Sequence, residues 1–233
     1  MWSIKHSRSF IQPSLIDTVS AWDRHGIGLL TGYSGIYYLS HLWQFSLVQS
    51  GYKIHNIDCA IRFDAYAIAE EALKNGISPE DIHDRITVSR CFTPYQILDE
   101  VNDIYIQENG LGKKPGLLCF ILAPSKQFFD GDVSAEEGRF LLQKLISIFQ
   151  SFQKKSIPLM IVEKENYNHP AFRTFYAAVQ NMARPVFRLK VMEKEMRKFY
   201  SIQISSHTTG YASKKSFDQV AEPAPVLAAS HIF

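Results

Sequence analysis

The stretch LLTGYSGIYYLSHLWQFSL, Leu29 to Leu47, decides the reading of the fold. It begins inside a short apolar run, Gly26 to Thr31, that stops at Gly32. A run of that length ending at a turn residue suits a buried strand. From Ile36 the chain is apolar and aromatic as far as Val48, and it halts at Gly51. The length of this second run favours a buried helix over a strand. Between the two lies Gly32-Tyr33-Ser34-Gly35, so a strand passes into a helix through a glycine-containing loop. That is the place where backbone N–H groups at a helix N-terminus cradle phosphate in nucleotide-binding folds.

Working outward, strands and helices alternate. Tyr52 to Cys59 reads as a strand, and the Ala/Glu-rich stretch Asp64 to Leu73 as a helix stopped by Asn75-Gly76. Ser78-Pro79-Glu80-Asp81 places a cap, a first-turn proline and acids at a helix start. Ile86 to Ser89 is β-prone. Thr93-Pro94-Tyr95-Gln96 is a capping box for a helix running to about Tyr105. Gly116 to Ala123 is continuously apolar, as a central strand buried on both faces must be. Ser134-Ala135-Glu136-Glu137 is a second capping box, opening a long helix to about Phe152. Leu159 to Val162 is the next buried strand and Pro170 to Met182 the next helix. Val186 to Met192 and Phe199 to Ser205 read as an antiparallel edge hairpin joined by Glu193 to Lys198. The pattern predicts an α/β fold with a mostly parallel central sheet and helices on both faces. The expected organisation is an N-terminal segment over 1–25, the domain over 26–205 and a loosely held, finally Pro/Ala-rich tail over 206–233.

Composition sets outer limits. The 233 residues carry 25 Lys+Arg against 23 Asp+Glu, a net charge of +2, with 46% hydrophobic and 21% charged residues. Such a chain can bury a core, which excludes wholesale disorder, and its balanced charge argues against a histone-like protein. No apolar run is long enough for a transmembrane helix, and Met1 to Pro13 lacks the apolar centre of a secretory signal. Cys59, Cys91 and Cys119 are far apart in apolar stretches. They read as buried free thiols in a reducing cytoplasm rather than as a disulfide framework or a zinc site.

The strand, loop and helix of residues 29–47 resemble the opening of the RecA and KaiC group of ATPases, and the likeness continues downstream in register. NIDCAIRFDAYAI (Asn56 to Ile68) is similar to the group's second strand with its acid-rich signature. DRITVSRCFTPYQILDEV (Asp84 to Val101) is similar to its Val-x-Arg strand and Phe-Thr-x-x-Gln helix start. GLLCFILAPSKQFF (Gly116 to Phe129) is similar to the Walker B strand, and RPVFRLKVMEKEMRKFYSIQI (Arg184 to Ile204) to the closing basic strands. The resemblance spans Ile27 to Ile204, rests on order and spacing, and implies a RecA-like three-layer sandwich.

The chemistry that the resemblance implies is missing at three separate places. A Walker A loop reads G-x-x-x-x-G-K-[ST]. Counted from Gly32, the second glycine falls on Tyr37, the lysine on Tyr38 and the hydroxyl on Leu39. Aligning the downstream helix instead shortens the loop by about two residues. The group's Asp-x-Glu keeps Asp58 but has Ala60 in place of the glutamate that would orient the attacking water. The Walker B aspartate falls on Leu122, and the polar sensor near Glu163 and Lys164.

Other features carry competing readings. Tyr33, Tyr37 and Tyr38 either block a pocket, offer an aromatic surface to a partner, or pack on the sheet. Asp130, Asp132, Glu136 and Glu137 are explained as acids at a helix start rather than as a metal loop. Arg184, Arg188, Lys190, Lys194, Arg197 and Lys198, interleaved with Phe187, Phe199 and Tyr200, suit a nucleic-acid backbone or a solvated edge. Phe175-Tyr176-Ala177-Ala178 matches the Phe-x-x-Ala contact of recombinases but lies within an expected helix, where it reads as core. His41 reads as a satisfied core histidine. The expectation is a cytoplasmic pseudo-ATPase with no catalytic residue, metal or cofactor. It would act by self-assembly or on a protein partner such as a related active ATPase. The alternatives are a single-stranded-DNA-binding accessory factor in recombination or repair, and a nucleotide-binding protein whose altered loop uses Gly32, Ser34 and Gly35 as donors.

Overall fold

A computed structural model describes residues 13–109, 116–129, 133–165, 167–194, 197–208 and 211–220. The helices are α1 (Pro13–Ile16), α2 (Ile36–Gln49), α3 (Ala65–Lys74), α4 (Pro79–His83), α5 (Pro94–Asn109), α6 (Ala135–Lys154) and α7 (Pro170–Met182). The strands are β1 (Ile27–Gly32), β2 (Lys53–Asp58), β3 (Ile86–Arg90), β4 (Leu117–Leu122), β5 (Leu159–Lys164), β6 (Val186–Lys194), β7 (Arg197–Thr208) and β8 (Tyr211–Val220). They form one sheet in the order β3-β2-β4-β5-β1-β6-β7-β8. All pairings from β3 to β6 are parallel, and β7 pairs antiparallel with both β6 and β8.

Two cores flank the sheet, giving the three layers expected of the α/β class. β4 shows the reason: Leu118, Phe120 and Leu122 point to one face, and Cys119 and Ile121 to the other. The first core takes Leu39, Leu42 and Trp43 of α2 and Ile68 and Ala72 of α3. The second takes Ile97 and Val101 of α5, Leu145 and Phe149 of α6, and Phe172 and Phe175 of α7. The described part of the expected N-terminal segment, 13–25, is built into the first core: Leu15, Val19 and Trp22 are buried, Trp22 meets Phe120 edge-on at 6.2 Å, and Trp43 Nε1 donates to the Leu15 carbonyl at 3.2 Å.

Helix starts follow the caps in the sequence, with local changes. Asp64 accepts from the N–H groups of Tyr66 and Ala67, and Ser134 from that of Glu137. Thr93 accepts from the Gln96 N–H at 3.2 Å, but the Gln96 side chain takes the N–H of Phe92, one residue earlier than a standard capping box. Ser78 does not cap; its hydroxyl donates to the Glu80 carboxylate. Helix α5 continues past Tyr105 to Asn109, and α6 past Phe152 to Lys154.

One expectation about the far end is corrected. The hairpin of β6 and β7 is not the edge of the sheet, and residues 206–208 and 211–220 are not a tail: β7 runs on to Thr208, and β8 pairs along it from Tyr211 to Val220. YASKKSFDQV shows no apolar alternation, so the period-2 signal is absent; β8 is held by main-chain pairing to an open edge. The rest of the expected tail, 221–233, lies outside the described residues.

Candidate functional site: the carboxyl end of the sheet

The helix after β1 packs on the first core and the helix after β5 on the second, yet β1 and β5 are neighbours. Their carboxyl ends therefore flank a topological switch point, where open α/β sheets bind ligands. The structure brings Gly32, Asp58, Leu122 and Glu163 to this end of the sheet, each at or near the end of its strand.

The β1–α2 connection is only Tyr33-Ser34-Gly35. Gly32, which ends β1, and Gly35 both answer to the chain itself. A Cβ on Gly32 would lie 2.3 Å from the main-chain oxygen of Leu189, so β6 can approach β1 only if this residue is glycine. Gly35 has φ +77° and caps α2, with Leu189 and Val191 against it. Ser34 is exposed and Leu39 is buried in the first core. Tyr38 packs half-buried against that core. Tyr37 packs there too, with the Arg62 guanidinium 5.5 Å from its ring centre. Its hydroxyl is buried without a hydrogen-bond partner among the described residues, and burial, then the charge of Glu163, hold its proton on well above the usual range.

Glu163 is fully buried and stands opposite Thr31 in the β1–β5 ladder. It accepts from the N–H of Ser125 and from its own neighbour Lys164, both at 3.0 Å. Burial nevertheless pushes its carboxyl up to about 7. Asp58, also fully buried, accepts from the N–H groups of Arg62 at 2.7 Å, Phe63 at 3.1 Å and Ala60 at 3.4 Å. Its carboxylate thus shapes the loop after β2. Ala60 and Leu122 are buried, and Leu122 pairs with Asp58 in the ladder.

That loop presents Ile61, which is 67% exposed and has φ +53°. A β-branched residue is strained in this region. Tyr33, Tyr66, Phe92 and Tyr95 are exposed as well, and all five stand on connections or first turns that leave the carboxyl ends of β1, β2 and β3. Sequence reasoning singled out only Tyr33 of these. The usable signal was the placement of Phe92 and Tyr95 around a helix cap, and of Ile61 beside Arg62, where an apolar side chain has no core to enter.

Several expected residues take other duties. Arg188 is half-buried, and its Nε donates to Glu165 at 2.5 Å. The Tyr176 hydroxyl donates to the same carboxylate at 3.2 Å and lies 3.1 Å from the Thr31 hydroxyl. Arg188 is therefore not an open cation for a nucleic-acid backbone. Arg184 is partly buried and donates to the Ala183 carbonyl at 2.7 Å; Lys190 is exposed. The side chains of Lys194, Arg197 and Lys198 lie outside the described ones, as do Asp130 and Asp132. Glu137 accepts the Tyr95 hydroxyl, and among the described residues no group of three His, Cys, Asp or Glu is placed to hold a metal.

Phe175 is buried against Phe149 within α7. Cys59, Cys91 and Cys119 are buried free thiols, and burial pushes Cys91 and Cys119 up to about 12. His41 is only half satisfied. Its Nε2 accepts from the Asp64 N–H at 3.3 Å, while Nδ1 is buried without a partner among the described residues, and burial pulls the ring down to about 4. No protein-family model matches the chain, and no curated protein sequence matches it.

Proposed function

We propose that this chain is a non-catalytic RecA-like domain, a pseudo-ATPase, that acts by docking on protein through the carboxyl end of its sheet. The observation that carries the reading is the pairing of buried polar groups at the ends of β1 and β5 with an apolar rim. Tyr37 packs on the first core and Glu163 is fully buried, so neither offers its polar atom to a phosphate, and an ionised Glu163 would repel one brought there. Around these groups, Tyr33, Ile61, Tyr66, Phe92 and Tyr95 face solvent. Exposed aromatic side chains on rigid connections are the composition of protein interfaces. In the group that the chain resembles, domains assemble edge to edge with nucleotide between them, so a site without its chemistry still leaves a docking surface.

The test combines two measurements on the whole chain. Mg-ATP and Mg-ADP at millimolar concentration should leave the melting temperature unchanged, because a ligand that binds only the folded state must raise it. Sedimentation over a range of concentrations should show self-association, or association with an added RecA-type ATPase, that weakens when Ile61→Asp and Phe92→Asp are introduced together. Mg-dependent ATP turnover abolished by Tyr37→Ala or Glu163→Gln would sink the reading. The nucleic-acid alternative draws on the basic β6–β7 hairpin and loses support from the pairing of Arg188 with Glu165. It predicts salt-sensitive binding to single-stranded DNA that weakens on charge reversal at Lys190. The altered-loop alternative predicts the thermal shift that the first measurement looks for.

A further inference from the structure

The opposite, amino end of the sheet holds a cavity of about 380 Å³ between α5 and the starts of β2, β3 and β4. A pocket of that size accepts a small molecule. Its apolar floor is Ile104 and Leu117; Ile54 borders it too, but its side chain belongs to the first core on the other face of the sheet. Its wall on α5 is polar, although a helix normally turns an apolar stripe toward its sheet. Glu100, Asp103, Gln107 and Glu108 recur there at the spacing of one helical face.

Glu108 gives the cavity its chemistry. It is 6% exposed, it lines the space, and its buried Oε1 has no hydrogen-bond partner among the described residues. A buried carboxylate oxygen left unpaired is costly, and the carboxylate that carries it borders the cavity. The neighbouring acids are distributed differently. Glu100 is engaged by His55 at 2.9 Å, and His55 also reaches Thr87 at 2.8 Å, which closes one end of the space. Asp84 and Asp103 line the remainder. Opposite them stand Lys53 and Arg85, and Arg85 turns one guanidinium nitrogen to the Gly51 carbonyl at 3.5 Å. Four carboxylates thus face two permanent cations, so the space favours a positive guest. The carboxylates do not converge as a metal site would: among the described residues no three candidate ligands do so. A guest with a charged, hydrogen-bond-donating head and a short carbon stem fits both the acid wall and the apolar floor.

We infer that this cavity binds a small organic cation, through a primary ammonium or guanidinium group held by Glu108 and flanked by Asp103. The inference is independent of the role proposed for the carboxyl end. The probes are agmatine and 1,4-diaminobutane, titrated calorimetrically into the full chain at constant ionic strength, with calcium chloride as a control. One or both should bind saturably. Glu108→Gln should weaken binding about tenfold or more, and should leave the ligand-free melting temperature equal or higher, since it removes an unpaired buried charge. Gln107→Trp, at an exposed position on the cavity wall, should block binding without touching the acid, and it keeps the test available if the Glu108 variant does not fold. Absence of saturable binding at about 10 mM probe would overturn the inference. So would equal binding by wild type and both variants, an equal response to calcium, or a Glu108→Gln protein that is markedly less stable.

Discussion

The two ends of the same sheet treat buried acid in opposite ways. At the carboxyl end, Asp58 and Glu163 are fully buried, and between them they accept five backbone N–H groups. At the amino end, Glu108 is almost as buried and has an oxygen with no partner among the described residues, beside an open cavity. Ligands of open α/β sheets ordinarily sit at the carboxyl end. Here that end has turned its polar groups inward, to hold loops, and its apolar groups outward. The difference teaches that a binding position in a fold is a matter of which polar groups the chain has left uncommitted, and strand direction alone does not decide it.

The comparison can be broken most forcefully at Asp58. Asp58→Ala should cost about 4 kcal/mol in urea unfolding, because it strands buried N–H groups around Ala60, Arg62 and Phe63. A loss below about 1 kcal/mol would mean that the loop holds itself. The next effect concerns pH. Glu163 titrates near 7 in the folded chain against an ordinary 4.5, so the unfolded chain loses its proton first, and stability falls as pH rises across that window. His41 titrates near 4 against an ordinary 6.5, so the unfolded chain gains its proton first, and stability falls as pH drops from 6.5 toward 4. The two slopes oppose each other between about 4.5 and 6.5, and their contributions to the wild-type profile should nearly cancel there. Glu163→Gln should expose a rise with pH, and His41→Gln a fall, each on the order of 3 kcal/mol, read by urea unfolding at stepped pH. Identical profiles in all three proteins would contradict this.

Smaller effects sharpen the account of the loops. Gly32→Ala should cost about 2 kcal/mol by forcing β6 away from β1, and should do so whether or not nucleotide is added. Ile61→Asn should raise stability by about 1 kcal/mol, since asparagine tolerates the left-handed region, while weakening any association through the rim. A gain in stability with unchanged association would remove Ile61 from the docking surface.

Much of the architecture was legible because it is written in local periodicity. The bilateral apolar run of β4, the long apolar helix after Gly35 and the caps at Thr93 and Ser134 are all local patterns, and the structure follows them. Strand β8 was not legible, because its pairing comes from an open neighbouring edge and leaves no periodic mark. The candidate site was legible in part. Gly32, Tyr37, Asp58, Leu122 and the neighbourhood of Glu163 were located by order along the chain, and they do meet at one end of the sheet. What each does there was not legible: Asp58 holds a loop, Arg188 pairs with Glu165, and Gly32 admits β6, and each depends on a neighbour distant in sequence.

By itself, then, the sequence determined the alternation of strands and helices and which of their faces are apolar, since both follow from spacings of two and of three to four residues within one segment. Only the tertiary structure decided which buried acids are satisfied. A carboxylate on α5 and a carboxylate at the end of β2 look alike in the chain. Only packing gives one of them backbone amides and leaves the other, among the described residues, an unpaired oxygen beside a cavity.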